Sequence, residues 1–170
     1  MQRLLIVFLF FSLGASAASP PKESFDQLEA AMPDFVFYDP QGKAAKLSDY
    51  RGKVVLVKLW ATWCGVCRAK WPGHQALYQA VRDEADVVVV TLSVFEDPQK
   101  SQDWVDSQGF DVPLYRNPVT DRGAVAVSDG SYYFIKGTPM NFLIDRDGLL
   151  RKKAVGASAS ISESDIRELI

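Results

Sequence analysis

The sequence predicts an α/β fold in which a mixed sheet is flanked by helices. Residues 53–60 and 86–92 are two nearly continuous apolar runs of high β-propensity, which is typical of strands buried on both faces of a sheet. Segments 68–84 and 97–108 follow these runs and have helical character, and a hairpin pattern occupies residues 141–155. Strands that alternate with helices and then give way to a hairpin indicate one layered α/β domain.

The remaining elements extend this domain at both ends. The aromatic and β-branched run 35–38, the turn 39–42 and a second short strand near 43–47 predict an N-terminal β-hairpin. Asp97 is suited to cap the helix that Pro98 begins, and Gly109 suits its C-terminal end. We further expect a short strand at 112–115, a turn and short helix at 117–127, and a last helix at 162–170, where Ser162 and Asp165 can form a capping box.

Composition and the N-terminus restrict the classes of function. The 170 residues carry a formal net charge of −2, so the chain lacks the basic field of nucleic-acid binders, and we expect a monomer without a nucleic-acid partner. Residues 1–18 resemble a signal peptide, with Arg3, an apolar run at 4–13 and a small-residue cleavage site. We expect a mobile lead-in at 19–33, a folded domain at 34–170, and export to the periplasm or another extracytoplasmic space. An N-terminal membrane anchor is the alternative.

The only two cysteines, Cys64 and Cys67, lie in a Trp-Cys-Gly-Val-Cys run where a buried strand leads into a helix. At such a helix start, unpaired backbone N–H groups stabilise a thiolate at Cys64 and lower its pKa. Cys67 lies three residues further on the same helical face, close enough for a disulfide. The pattern therefore predicts a redox-active Cys64–Cys67 disulfide in which one sulfur attacks and the other resolves.

Other interpretations of the two cysteines are weaker. A closed zinc site needs four ligands, and His74 is the only histidine in the sequence that could join the two cysteines. A structural staple across four residues adds only about 2 kcal/mol in the chain-entropy model. A copper-handling thiol protein is disfavoured because no additional histidine or methionine lies at a plausible ligand spacing. A redox-inert module that presents a groove at Thr138 to peptides is the remaining alternative. We therefore expect no metal and no cofactor.

The context of the cysteines resembles the thioredoxin superfamily. The run 55–67, Pro72 shortly after it, and Gly137-Thr138-Pro139 downstream carry the resemblance, and the signal segment and the turn at 144–148 are similar to its exported TlpA- or ResA-like branch. The resemblance covers roughly residue 35 to the C-terminus. It implies a thioredoxin-like fold with a cis Thr138–Pro139 bond facing the cysteines, and a protein thiol-disulfide oxidoreductase.

The resemblance also implies partners and a substrate surface. We expect protein substrates with cysteine thiols or disulfides to bind at Trp63, Gly65, Val66, Thr138 and Pro139, where an extended segment can pair with the chain in β fashion. A reducing member of this branch draws electrons from a membrane thiol transporter and serves apo-cytochrome c or other secreted proteins.

Two lysines depart from the family pattern. Lys58 stands six positions before Cys64 and Lys70 three positions after Cys67, where relatives often carry acidic residues. An ammonium group favours the thiolate and therefore the dithiol state, which makes the disulfide a better oxidant. We expect Lys58 and Lys70 to tune the cysteine pKa values, with a thiol oxidase as the alternative function. Snorkelling of both lysines to solvent is the competing interpretation, and His74 is expected at the surface or partly packed.

Overall fold

The computed structural model describes residues 28–120, 123–157 and 160–170. The predicted signal peptide and most of the predicted lead-in lie outside the described residues. Among the described residues, no helix combines the length and apolar character that crossing a membrane requires.

The described chain contains strands and helices in the alternation that the sequence predicts. The strands are β1 (Val36–Tyr38), β2 (Ala44–Lys46), β3 (Val54–Trp60), β4 (Val87–Ser93), β5 (Leu114–Tyr115), β6 (Ala124–Ala126), β7 (Tyr132–Phe134), β8 (Met140–Ile144) and β9 (Leu150–Val155). The helices are α1 (Gly65–Ala69), α2 (Trp71–Val81), α3 (Pro98–Ser107) and α4 (Glu163–Arg167), with a 3-10 turn at Leu47–Tyr50.

A five-stranded mixed sheet forms the centre, with the strand order β5-β4-β3-β8-β9. Strand β3 is parallel to β4 and antiparallel to β8, so it lies between two partners and has no free edge. The predicted mixed sheet is thus confirmed. The N-terminal hairpin is confirmed as well, since β1 and β2 pair antiparallel in a small sheet of their own.

Helix α3 and helix α4 begin as the sequence predicts. The Asp97 side chain accepts a hydrogen bond from the backbone N–H of Gln99, and Gly109 has φ +68° just beyond the end of α3. At α4, the Ser162 and Asp165 side chains accept bonds from each other's backbone N–H groups, which is the predicted capping box.

Two predictions of local structure are wrong. The predicted helix at 117–127 is instead, where described, a loop followed by β6, which pairs antiparallel with β7. Alanine and valine in β6 do not favour one state by themselves, and the aromatic strand β7 decides it by pairing. The segment 68–84, predicted as one helix with a kink at Pro72, is two helices that meet at Lys70, and Pro72 lies in the first turn of α2, where its missing N–H has no consequence.

Strand β3 divides the core because its side chains alternate between the two faces of the sheet. Val55, Val57 and Leu59 belong to a core with the N-terminal hairpin, and Val54 and Leu56 pack with α2 and α4. Lys58 therefore faces the helical side. Residues 29–32, assigned by the sequence to the lead-in, form backbone hydrogen bonds with the turn at 148–150.

Candidate active site

The Cys64–Cys67 disulfide lies where the chain leaves β3 and enters α1. Cys64 is the N-cap residue of α1, and its Sγ accepts a hydrogen bond from the backbone N–H of Cys67 at 3.1 Å. Cys64 is 8% exposed, whereas Cys67 is completely buried. The same N–H group is placed to stabilise a Cys64 thiolate when the disulfide opens, since charge-assisted hydrogen bonds are the stronger kind. Only Cys64 is open to attack from outside.

The Thr138–Pro139 peptide bond is cis, and it lies directly beside Cys64. The carbonyl oxygen of Thr138 is 3.6 Å from the Cys64 Sγ. Pro139 is buried and Thr138 is half-buried. Within the described part of the chain, the Thr138 N–H forms no backbone hydrogen bond. Its backbone is thus free to pair with another extended chain next to the disulfide.

Exposed apolar side chains surround Cys64. Trp63 is 57% exposed, and Val66 and Gly65 are exposed beside it. The Trp63 ring contacts the Phe95 ring edge-on, with centroids 5.9 Å apart. Phe95 has φ +64°, a left-handed conformation that costs a non-glycine residue on the order of 1–2 kcal/mol. Of the predicted substrate residues, Trp63, Gly65 and Val66 are thus exposed next to Cys64, and Phe95 extends their surface.

Glu96 is a buried residue of the site that the sequence prediction missed. Its carboxylate accepts hydrogen bonds from the backbone N–H of Thr62 at 2.8 Å, the Thr62 hydroxyl at 2.6 Å and the Ser101 hydroxyl at 2.8 Å. The carboxylate thereby fixes the loop that carries Trp63 and Cys64. A signal was present in the sequence, because the carboxyl ends of parallel strands meet at one edge of a sheet, and Glu96 follows β4 as Thr62 follows β3.

Lys58 is buried between the central sheet and the helices α1 and α2 rather than extended to solvent. It lies on the central strand β3 between Thr91 of β4 and Asn141 of β8, and it is 3% exposed. Removal from water, together with the positive charge of Lys70, lowers the pKa of Lys58 to about 8. The snorkelling interpretation is wrong for Lys58, because helices α1 and α2 cover the face of the sheet from which its side chain projects. Lys70 remains half-buried at the junction of α1 and α2.

His74, expected at the surface or partly packed, is more deeply buried than the sequence predicts. It is buried, its Nε2 lies 2.9 Å from the Thr91 hydroxyl, and its ring packs edge-on against Trp71. Burial and then the charge of Lys58 hold the pKa of His74 well below its ordinary value, so the imidazole is neutral at pH 7. The side chain faces the sheet because it is three residues from Trp71, on the same face of α2.

An aromatic cluster surrounds the buried cysteine. Cys67 belongs to a core cluster with Trp60 and Trp71, whose ring centroids are 4.6 Å apart, and Trp104 packs against both rings. Because the cysteines and these tryptophans share one cluster, tryptophan fluorescence is a natural reporter of the site. Among the described residues, no group of three or more histidine, cysteine, aspartate or glutamate side chains is arranged to hold a metal ion.

The mixed sheet, the helix-capping cysteine pair and the adjacent cis-proline define the class of thioredoxin-like thiol-disulfide oxidoreductases. The chain belongs to the AhpC/TSA family, whose model matches residues 28–153.

Curated relatives of the chain carry the name thiol-disulfide oxidoreductase ResA. The protein from Geobacillus thermodenitrificans is 26% identical over 170 residues, which cover 99% of this chain and 91% of the relative. The protein from Geobacillus kaustophilus is 31% identical over 124 residues, 73% of this chain and 67% of the relative. These matches confirm the predicted resemblance to the ResA-like branch.

A solved structure supports the fold. A crystal structure from Bacteroides vulgatus, described as that of a thiol-disulfide oxidoreductase, superposes with a TM-score of 0.68 over 86% of this chain and 99% of its own. At 24% sequence identity this similarity bears on the fold alone. The predicted thioredoxin-like architecture is confirmed.

Proposed function

We propose that the protein exchanges disulfides with cysteine-containing proteins outside the cytoplasm, with Cys64 as the attacking thiol and Cys67 as the resolving thiol. The unequal burial of the two sulfurs carries this assignment, because only Cys64 reaches the surface beside Thr138. An attacking thiol must meet a foreign disulfide, whereas a resolving thiol needs only to reach its neighbour.

In the reducing direction, the Cys64 thiolate attacks one sulfur of a substrate disulfide and the other substrate sulfur leaves as a thiolate. The Cys67 thiolate then attacks Cys64, which closes the Cys64–Cys67 disulfide and releases the second substrate thiolate. Two electrons pass to the substrate. The two protons released when the Cys64 and Cys67 thiols form their disulfide balance the two substrate thiols that result. A dithiol of a membrane thiol transporter returns the two electrons by the reverse sequence.

The substrate binds as an extended segment beside Thr138. Its backbone pairs with the free Thr138 N–H and the Thr138 carbonyl, and its side chains contact Trp63, Gly65 and Val66, while Pro139 holds this edge in place. Backbone pairing is independent of sequence, so we propose a range of secreted substrates, including apo-cytochrome c.

Trapping of the mixed disulfide tests these roles. In Cys67→Ser the second step is blocked, so substrate proteins accumulate in covalent complexes that dithiothreitol releases. The matched variant Cys64→Ser leaves only the buried sulfur and should trap almost nothing. Equal trapping by both variants would contradict the assignment. Mass spectrometry of the protein from the extracytoplasmic fraction should also find an N-terminus at Ala18 or Ser19.

We propose a reductase, but Lys58 supports an oxidase as the second candidate. With a pKa of about 8, the Lys58 amine is about 90% protonated at pH 7. A buried ammonium near the cysteines favours thiolates and hence the dithiol state. A reduction potential of about −270 mV would support the reductase, and a potential of about −120 mV would support the oxidase.

The tuning role of Lys58 and Lys70 has its own test. Lys58→Met removes the buried charge and should make the reduction potential more negative, by about 30 mV for each tenfold change in the equilibrium constant. Lys70→Met should act in the same direction and more weakly, because Lys70 is half-buried. An unchanged potential in Lys58→Met, with Lys100→Met as the exposed control, would refute the tuning role.

A further inference from the structure

A cavity of about 260 Å³ lies beneath the active-site helices, between them and the central strands β3 and β8. Its polar lining comes from Lys58, Lys70, His74, Asn141 and Ser160, with apolar side chains around them. No carboxylate is among the described residues that line it. A water molecule needs roughly 10–15 Å³ by this kind of measure, so the cavity has room for a tetrahedral ion and several waters.

Lys58 is the least exposed polar group of this cavity, at 3%. Among the described residues, no side chain or backbone group accepts a hydrogen bond from its ammonium, and no carboxylate pairs with it. The charged group that most affects it is Lys70, another cation. A buried ammonium without a counter-ion is unfavourable unless an anion or water compensates it.

The other walls of the cavity do not supply the missing negative charge. His74 uses Nε2 in its contact with the Thr91 hydroxyl, so that hydroxyl is already engaged. Asn141 contributes a side-chain amide, which has two N–H donors and a carbonyl acceptor but no negative charge. The cavity thus combines two ammonium groups and an amide donor without an acidic residue, which is a set of ligands suited to an anion.

We propose that this cavity binds a small oxyanion, inorganic or carboxylate, between the ammonium groups of Lys58 and Lys70, with the Asn141 amide as a further donor. The ligand compensates the charge of Lys58. This binding is a property of the oxidised, folded protein, and it does not rest on the proposed redox function.

His74 provides a specific probe, because it is the single histidine of the chain and it lines the cavity. Its imidazole C–H signals in NMR spectra are therefore unambiguous. Sodium sulfate is titrated into the oxidised protein at pH 7, with sodium chloride reduced in parallel so that the ionic strength stays constant. A parallel titration with sodium acetate distinguishes an inorganic oxyanion from a carboxylate as the better ligand.

We expect a saturable shift of the His74 signals in the wild-type protein and an affinity weaker by on the order of tenfold or more in Lys58→Met, since a desolvated charge is lost. Lys70→Met should weaken binding less. Lys100→Met removes an exposed charge that does not line the cavity, so its curve should match the wild type.

Three results would overturn the proposal. The first is a linear response that never saturates with either anion, which is the behaviour of a general salt effect. The second is a saturable response that is unchanged in Lys58→Met, while the dispersed NMR spectrum of that variant shows that it folds. The third is equal weakening in Lys58→Met and Lys100→Met, because it would reflect net charge and not the cavity.

Discussion

Replacing Lys58 with methionine should stabilise the oxidised protein at neutral pH and remove part of its pH dependence. Burial and the charge of Lys70 lower the pKa of Lys58 from 10.5 to about 8. A difference of one unit between the pKa values of the folded and unfolded states corresponds to about 1.4 kcal/mol of folding free energy. The protonated lysine therefore destabilises the fold by about 3 kcal/mol. Methionine is unbranched, similar in length and uncharged, so it suits the same space.

The sign of the pH dependence follows from the lowered pKa. Below pH 8 both the folded and the unfolded chain hold the proton, and the full destabilisation is present. Between pH 8 and 10.5 the folded chain loses the proton first, so the wild-type stability rises relative to the variant. By pH 10 about 2.5 kcal/mol of the difference should be gone.

Urea unfolding of the oxidised protein between pH 7 and 10, followed by tryptophan fluorescence, measures this difference. The disulfide keeps both cysteines from titrating. Burial raises the pKa values of Tyr50 and Tyr115, but both tyrosines titrate alike in the two proteins and cancel. Parallel stability curves for the wild type and Lys58→Met would refute the reasoning. Lys100→Met, at an exposed position, should show no pH-dependent difference.

Three further predictions concern other parts of the site and the fold. Glu96→Gln places an amide N–H₂ group next to hydroxyl and N–H donors, so it should lower the free energy of unfolding in urea titrations by about 1–3 kcal/mol. An unchanged free energy would contradict the role of Glu96 in fixing the active-site loop. Phe95→Ala should raise the KM for protein substrates without moving the reduction potential, because the ring contacts Trp63 and not the sulfurs; a changed potential would contradict this. Partial burial raises the pKa of Asp165, but hydrogen bonds from Lys152 and Ser162 outweigh it and lower that pKa to about 2. Asp165→Asn should therefore cost about 1 kcal/mol above pH 4, since the pair is partly exposed, and only a small part of that near pH 2, where the wild-type carboxyl is half protonated; an equal loss at both pH values would argue against the ion pair.

Sequence patterns located the sheet and the disulfide because their signals are local. The apolar runs of β3 and β4 identify central strands, and the only two cysteines lie at a strand-to-helix transition. The position of β6 could not be predicted in the same way. Its three residues depend on β7 for their hydrogen bonds, so the state of that segment is decided by pairing across the turn.

The environments of Lys58 and His74 also depended on contacts between distant segments. The spacing from Cys64 marked Lys58 as unusual, but its burial follows from the two strands beside β3, which only the topology shows. From the sequence alone, His74 is expected at the surface or partly packed. Its burial results from the docking of α2 on the sheet, where Thr91 of β4 meets the imidazole.

Glu96 and Lys58 are both buried at the site, but they have opposite effects on the stability of the fold. Glu96 has three hydrogen-bond donors around its carboxylate, so its charge is compensated and it stabilises the loop that carries Cys64. Lys58 has no acceptor among the described residues and destabilises the fold by about 3 kcal/mol while it remains charged. A methionine at position 58 would avoid that cost. The lysine is therefore better explained by the proposed effects of its charge on the cysteine pKa values and on a bound anion than by any contribution to stability.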